Sequence, residues 1–192
     1  GSGYYEQYKP DAELSLYGVT DLVIGDSVIA RGDVIRRRWL DNAYKGVALN
    51  AHRSWDRISM NWGGGAFNYE GAHFGVPIWM QYAGESQLGA EYYSNVGSKT
   101  DRYVFAGFTQ DWGGGRMRTQ LELQGRQVVY SIDGTDNDLT QLAVDDRLFF
   151  LNPKAGLDWM MSPFNRFFAS ISQGSREPVR TDYVDRVTSE QP

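Results

Sequence analysis

The clearest pattern in the chain is an alternation of apolar and polar residues between Arg147 and Ser162. One side of this stretch carries Phe149, Leu151, Pro153, Ala155, Leu157, Trp159 and Met161. The other side carries Phe150, Asn152, Lys154, Gly156 and Asp158. A period of two residues is typical of a β-strand with one apolar face and one mixed polar face, and its length is about what a strand needs to cross a bilayer. The pattern therefore predicts one long strand.

A tight turn and a second strand follow. The segment 162–165 reads Ser-Pro-Phe-Asn, which is a composition favoured in turns. After it, Phe167, Ala169 and Ile171 alternate with Phe168, Ser170 and Ser172. Two long strands joined by a very short turn predict an antiparallel hairpin.

The same plan recurs earlier in the chain. Alternating stretches occupy 44–55, 58–62, 102–112 and 116–130, with tight turns at 56–57 and 113–115. The short aromatic segment Tyr4–Tyr8 is a candidate additional strand. The triple glycine 63–65 indicates a bulge or a shift of phase. The chain is thus predicted to be all-β and antiparallel, with about six long strands and a seventh if Tyr4–Tyr8 is included.

Three longer segments without a clear alternation, 11–42, 70–100 and 131–146, are predicted to be long loops. Within the first, 23–29 predicts a small hairpin and 33–40 predicts one or two helical turns. Short turns at one end of the strands and long loops at the other are typical of a bacterial outer-membrane β-barrel, with the short turns periplasmic and the long loops extracellular. The alternative is a soluble β-sandwich or meander with one wet face.

Composition limits the function classes. The net charge is −5 and the basic residues are scattered, so the chain is not expected to bind nucleic acid. Cysteine is absent, which excludes disulfides and thiolate metal sites, and two histidines do not favour a histidine-rich metal centre. Mean hydropathy is −0.49, but polar lumen residues offset apolar outer ones in a barrel, so this value does not decide. No nucleophile–base pattern is present, so we do not predict an enzyme, a resident metal or a cofactor.

Two rows of polar residues are candidate lumen-facing positions. They are Arg118, Gln120, Glu122, Gln124 and Arg126 in one strand, and Asn152, Lys154 and Asp158 in another. Such a row could line the path of a substrate. The alternative is that these groups solvate the interior or pair with a plug, as any barrel of this kind requires.

The predicted loops contain candidate ligand-binding residues. Arg36, Arg37 and Arg38 could hold an anionic ligand, since guanidinium groups bind carboxylates and phosphates bidentately, or could form local ion pairs in a packed loop. Glu70 and His73 could touch a metal chelate, although two ligands are a weak signal. Trp79, Tyr92 and Tyr93 could stack on a sugar or a siderophore, or pack loop against loop.

A further acidic group lies in the third predicted loop. Asp133, Asp136, Asn137 and Asp138 offer oxygen ligands of the kind that suit Ca²⁺. Their spacing does not match a twelve-residue calcium loop, and a solvated acidic loop is the alternative.

Several motifs resemble the barrel of TonB-dependent outer-membrane receptors, in collinear order over nearly the whole chain. They are the segments 3–9 (GYYEQYK), 37–42 (RRWLDN), 62–65 (WGGG) and 69–75 (YEGAHFG). The strongest are 152–157 (NPKAGL) and 176–183 (REPVRTDY). These are barrel and loop motifs, and none is a ligand-coordinating signature.

The resemblance implies a fold and a function. Receptors of this family are active importers with about twenty-two strands, a plug inside the barrel and a segment that binds TonB. We therefore expect this chain to be a section of a receptor barrel without its plug, located in the bacterial outer membrane. The implied partners are the remaining barrel and plug, outer-membrane lipid, the TonB complex through the missing N-terminal part and, as a further option, a surface lipoprotein.

The expected function is uptake of a scarce nutrient, most commonly an iron chelate. The alternative is a soluble or surface-attached β module for binding or adhesion, without transport.

Overall fold

A single antiparallel sheet dominates the computed structural model, which describes residues 1–84 and 88–190. Its strands, in spatial order, are β1 (Ser2–Glu13), β4 (Arg31–Trp55), β5 (Ile58–Met80), β6 (Tyr93–Trp112), β7 (Met117–Thr135), β8 (Gln141–Ser162) and β9 (Asn165–Ser172). Each strand pairs antiparallel with the next. The predicted all-β, antiparallel class is confirmed, as is the hairpin of β8 and β9.

The remaining elements lie outside the sheet. The predicted small hairpin is present as β2 (Val23–Ile24) and β3 (Ser27–Val28), and 3₁₀ turns occupy Leu14–Tyr17 and Gly113–Gly115. One helix, α1 (Arg180–Glu190), follows the last strand. Of the helices in the described residues, none has the length and apolar character that a membrane span requires.

The strands are longer than the alternation predicts, so the predicted loop bounds 11–42, 70–100 and 131–146 are wrong. The actual connections at that end are 14–30, 81–92 and 136–140, of which 85–87 lie outside the described residues. The short connections at the opposite end, 56–57, 113–116 and 163–164, agree with the prediction. The strand ends were missed because polar and apolar side chains are mixed on both faces there, which removes the alternation while the backbone pairing continues.

The helical turns predicted for 33–40 are also wrong. This segment is part of β4, where Lys9 pairs with Val34 on one side and Trp79 pairs with Ile35 on the other. Neighbouring strands satisfy its backbone hydrogen bonds, and this pairing overrides the local preference for a helical turn.

The two faces of the sheet differ in chemistry over the half nearest the short turns. On one face, alternate residues form an apolar band that is largely exposed, with Leu49 at 74%, Val104 at 67% and Phe149 at 71% of full exposure. The band runs through 47–55 in β4, 58–66 in β5, 104–112 in β6, 117–125 in β7, 149–159 in β8 and 167–171 in β9. We call this side the apolar face and the opposite side the polar face.

The buried clusters lie at the end with the longer connections. One contains Leu14, Tyr17, Val19, Val34 and Met80, and the other contains Ile132, Leu142 and Tyr183. Packing therefore anchors the strands at that end, while the apolar band has no protein layer over it among the described residues.

The sheet is open, with β1 and β9 at its edges. β1 pairs with β4 only as far as Asp41, and β9 pairs with β8 only from Lys154 onwards. We take the end with the short turns as the bottom of the sheet and the end with the longer connections as its top. Two strand segments then have no strand on one side among the described residues: the lower part of β4, Ala43–Trp55, and the upper part of β8, Leu142–Asn152. Both are long backbone edges.

Candidate functional site on the polar face

The eight residues predicted to share a polar surface do lie on one face. Arg118 is paired directly with Asp158, Glu122 with Lys154, and Gln124 with Asn152. The amide of Asn152 donates to Oε1 of Gln124 at 3.0 Å. Gln120 and Arg126 lie on the same face in β7. The alternation in the sequence therefore identified a real surface that continues across two strands.

Charges near the short turns on this face neutralise one another. Nε of Arg118 donates to Oδ1 of Asp111 at 2.7 Å, and Nη2 donates to Oδ2 at 3.1 Å. Nε of Arg166 donates to Oδ1 of Asp158 at 2.7 Å. These bidentate pairs neutralise the charges of the polar row within the sheet. They favour a structural role for the row over a substrate path.

A four-residue ionic cluster lies higher on the same face, which we call the central ionic cluster: Lys99, Asp101, Arg126 and Glu177. Arg126 donates to both oxygens of Asp101, at 2.9 and 2.6 Å, and its Nη2 lies 2.7 Å from Oε2 of Glu177. Lys99 contacts the other oxygen of Glu177. Two cations and two anions balance, which compensates the partial burial of all four side chains.

Glu177 reaches this cluster on a segment that crosses the polar face after β9. We call residues 173–187 the C-terminal strap. Ser175 N donates to Oδ1 of Asn152 at 2.9 Å, and Arg180 Nη2 donates to Oδ1 of Asn95 at 2.8 Å. Asn95 is itself buried. The strap is therefore fixed to β6, β7 and β8 by directional contacts along its length.

Tyr183 in α1 anchors the far end of the strap. Its ring stacks on Tyr130, with centroids 4.7 Å apart, and its hydroxyl donates to Oδ2 of Asp146 at 3.0 Å. Burial, followed by the hydrogen bond and negative charge of Asp146, raises the pKa of Tyr183 to about 12. The phenol is thus held neutral, as a donor, over the ordinary pH range.

A cleft of about 580 Å³ separates the strap from the sheet. Tyr44, Phe67, Tyr69 and His73 supply its aromatic side. The central ionic cluster and residues 176–180 of the strap supply its charged side. A cleft of this volume with apolar walls and a few converging polar groups has the general form of a small-molecule site.

Aromatic rings pave the polar face beside this cleft. Tyr44, Phe67, Tyr103 and Phe105 follow one another with centroid separations of 5.7, 6.2 and 6.5 Å and interplanar angles of 14°, 7° and 22°. Nearly parallel rings in a row can stack against a flat or cyclic ligand.

Gly63 and Gly65 make room for this paving, whereas Gly64 lies on the apolar face. Pairing with both neighbouring strands continues through the glycine run 63–65 without a shift, so the predicted bulge is wrong. A Cβ on Gly65 would lie 2.8 Å from the Phe67 ring and 2.9 Å from the Tyr103 ring. These glycines therefore reflect the close approach of side chains from the same and the adjacent strands.

Four of the predicted ligand-binding residues come together near the end of β4. Arg36 is 5% exposed and donates to Oε1 of Gln7 at 2.8 and 3.1 Å and to the Tyr92 hydroxyl at 2.9 Å. Nε of Arg38 donates to the Tyr93 hydroxyl at 3.0 Å. Burial raises the pKa of the Tyr92 phenol. These contacts favour the local packing alternative for the arginines, although in a strand and not in the predicted loop.

The other predicted ligand residues do not join this group. Arg37 lies on the opposite face of β4, where it pairs with Glu6 at 2.6 Å. Glu70 and His73 are three residues apart in a strand, so their side chains lie on opposite faces and cannot bind one ion together. Trp79 pairs with Ile35 in β4 and remains 46% exposed.

The predicted acidic group does not form a cation site in the structure, where Asp133 lies within β7 and Asp136, Asn137 and Asp138 lie in the connection to β8. Leu139 N donates to the Asp136 carbonyl at 2.9 Å, and Thr140 N donates to Oδ1 of Asp138 at 3.0 Å, which makes this a tight turn. Across residues 1–84 and 88–190, no group of three or more His, Asp or Glu side chains is placed to hold a metal ion.

The sequence reasoning missed the central ionic cluster and the strap. Lys99 and Asp101 extend the alternation of Tyr103 and Phe105 towards the long connections, and following that alternation further would have identified them. Glu177 and Tyr183 carry no local signal of this kind, because they act on strands 78 and 37 residues away along the chain.

Comparisons of the chain with models of protein families, with curated proteins and with solved structures gave no match.

Proposed function

We propose that this chain is one sector of the wall of an outer-membrane β-barrel, in a receptor of the TonB-dependent type that imports a scarce nutrient. The observation that carries the proposal is the exposed apolar band on one face of a long-stranded antiparallel meander whose other face is charged. In water, exposed apolar surface of this extent is unfavourable, whereas a bilayer would cover it.

The height of the band supports this placement. In β8 the apolar positions run from Phe149 to Trp159, and eleven residues at about 3.3 Å each span about 36 Å along the strand. A strand tilted by about 45° would then cover about 25 Å of bilayer thickness, which is the height of the apolar band in outer-membrane barrels.

The open edges support a larger assembly. Backbone N–H and C=O groups exposed to lipid cost several kcal/mol each, so strand edges are not tolerated in the hydrocarbon region. In the proposal, further strands of the same receptor pair with Ala43–Trp55 of β4 and with the free edge of β8. A plug would then face the polar side.

The cleft between the strap and the paved sheet is the proposed ligand contact. Its combination of aromatic rings with Lys99 and Arg126 suits a ligand that has ring systems and negative charge. An iron chelate of the siderophore kind fits this description, and the resemblance to TonB-dependent receptors makes it the first cargo to test. Energy for transport would come from the TonB complex through another part of the receptor, and a surface lipoprotein is a further proposed partner.

Membrane insertion can be tested with single cysteines, because the natural chain contains none. Leu121→Cys lies in the apolar band, Ala143→Cys lies above it on the same face, and Gln124→Cys lies on the polar face. Each variant is labelled with an environment-sensitive dye and folded into phosphatidylcholine vesicles, where the free strand edges of separate copies of the chain can pair with one another. We expect a lipid-resident quencher to act on position 121 and an aqueous quencher to act on positions 143 and 124.

Equal aqueous quenching at positions 121 and 143 would overturn the membrane proposal. A monodisperse monomer in detergent-free buffer would support the soluble or surface-attached β binding module instead. For the ligand, fluorescence titration of the inserted chain with a ferric catecholate should give saturable binding, which Tyr44→Ala and Lys99→Gln weaken. Lack of saturation, with insertion intact, would remove the iron-chelate assignment only.

A further inference from the structure

A groove of about 1060 Å³ lies on the apolar face near the upper limit of the band. Its floor is one row of paired residues, in which Gly64 and Gly125 flank Val104. Leu49 and Leu151 continue the row on either side. Two glycines in one row create a depression between larger apolar neighbours.

The depression at Gly125 is open space. A Cβ placed on Gly125 would meet nothing nearer than Cγ2 of Val104, at 4.0 Å. The groove is also walled by Val47, Trp62 and Phe149. Aliphatic and aromatic residues and glycines make up most of its lining, which suits an acyl chain, and the polar residues that line it are Asn50, Arg102, Arg126 and Gln127.

Cations stand directly above this groove. Arg102 lines its upper end and belongs to the row of Ala66 and Gln127, immediately above the glycine row. Lys45 and Arg147 occupy the next row up on the same face. All three side chains are exposed, and none forms an ion pair with another described residue.

Carboxylates begin only above these cations. Glu70 and Asp145 lie one row higher, and Asp41 and Asp133 lie two rows higher. Going up this face from the middle of the band, one thus meets the apolar groove first, then the three cations, and then the acidic residues. A negatively charged head group would be attracted to the level of the cations and repelled from the rows above it.

We propose that this groove and the three cations form a binding site for a phosphorylated lipid, with an acyl chain in the groove and head-group phosphate at Arg102, Lys45 and Arg147. Arginine binds phosphate bidentately, and lysine adds a point charge. The inference rests on the proposed membrane placement and goes beyond it, because a barrel wall needs apolar contact with lipid but does not need a site for one head group.

The test uses the full chain in detergent micelles and compares two probes, bisphosphorylated lipid A and phosphatidylcholine, by thermophoretic titration. We expect lipid A to bind at least tenfold more tightly than phosphatidylcholine. Arg102→Gln should weaken lipid A binding about tenfold, since a charge-assisted phosphate contact is typically of that size. Arg147→Gln and Lys45→Gln should act in the same direction.

One further variant tests the contribution of the acyl chain, and a second serves as a control for loss of a positive charge. Gly125→Val fills the groove at a position with free space, so it should weaken both probes by a similar factor. Arg116→Gln removes an exposed cation at the short-turn end and serves as the matched control, with no expected change for either lipid.

Each result bears on a distinct claim. Equal binding of the two lipids by the natural chain, or an Arg102→Gln effect no larger than that of Arg116→Gln, would overturn the phosphate site while leaving the membrane proposal in place. Failure of the chain to bind either lipid, together with aqueous quenching at position 121, would overturn both. Loss of lipid A selectivity in Arg102→Gln, Lys45→Gln and Arg147→Gln, but not in Arg116→Gln, would support the site.

Discussion

The two faces of this sheet are held by different interactions, although they share every strand. The polar face is covered in its upper half by the C-terminal strap and is linked by the ion pairs of Arg126, Arg118 and Arg166. Among the described residues, no segment covers the apolar face, and its band is exposed. The polar face thus has its partners within the described chain, whereas the apolar face is open to its surroundings.

This difference between the faces predicts how substitutions on each face should change stability. On the polar face, an exchange acts through a named partner, and its effect is local. On the apolar face, an exchange acts through the solvent that covers it, so its effect depends on whether that solvent is lipid or water. Comparing matched substitutions on the two faces therefore tests the assignment of each.

The largest effect is expected from a charge placed in the middle of the apolar band. Leu121→Arg should lower the free energy of unfolding in lipid vesicles by about 2–4 kcal/mol, the usual cost of a cation at the bilayer midplane in a barrel. Ala143→Arg, which lies above the band on the same face, should cost about 0–1 kcal/mol. Urea titrations of both variants in vesicles measure the difference. Equal, small costs would mean that water and not lipid covers the band.

The second comparison sets a glycine of the polar face against one of the apolar face. A Cβ on Gly63 would lie 2.4 Å from the Leu49 carbonyl oxygen, so the backbone must move, and Gly63→Ala should cost about 1–3 kcal/mol. Gly125→Ala meets open space and should change stability by no more than about 0.5–1 kcal/mol, with a gain expected from reduced backbone freedom. Denaturant unfolding of the pair measures both, and a Gly63→Ala variant as stable as the natural chain would contradict the crowding seen at this position.

Sequence alone was sufficient for the regular half of the molecule. In β7 and β8, one side of each strand is apolar and the other polar, so period and face follow directly, and the predicted row from Arg118 to Arg126 lies where the pattern places it. Short turns at 56–57 and 163–164 were equally clear, because turn residues interrupt two alternating runs. The prediction from sequence succeeded where the two faces of a strand meet different surroundings, because apolar and polar residues then alternate along the strand.

Sequence reasoning failed where partners lie far away along the chain. Arg36 lies in a strand because β1 and β5 pair with its backbone on either side, and its guanidinium is bound by Gln7 and Tyr92; neither kind of contact can be read from the local sequence 33–40. The docking of Glu177 against Lys99 and Arg126 is likewise a long-range contact on a segment that is locally polar and unpatterned. Local alternation carries no information about such pairs.

The third prediction concerns the strap. Glu177→Gln removes the negative charge that balances Lys99 and Arg126 and should destabilise strap docking by about 1–2 kcal/mol, less than for a fully buried pair because these side chains remain partly exposed. Cleavage by trypsin after Arg180 should accelerate correspondingly. Asp185→Asn changes an exposed carboxylate of α1, in the same strap, and should leave the cleavage rate unchanged. Identical cleavage of the two variants would show that Glu177 does not hold the strap.

The smallest effect is a pH dependence of the same strap. Because the pKa of Tyr183 is raised to about 12 in the folded chain, folded protein binds this proton more tightly than unfolded protein, whose phenol titrates near its ordinary value of about 10. The stabilisation is therefore fully present below pH of about 10 and is lost as the pH rises towards about 12. A deprotonated Tyr183 would also face the carboxylate of Asp146.

Trypsin cleavage is impractical at such pH, so hydrogen exchange or the ultraviolet absorbance of tyrosinate should report the loosening of α1. Tyr183→Phe removes both the proton and the hydrogen bond: it should cost about 0.5–1.5 kcal/mol at neutral pH and abolish this alkaline transition. A transition that persists in Tyr183→Phe would assign it to another titrating group.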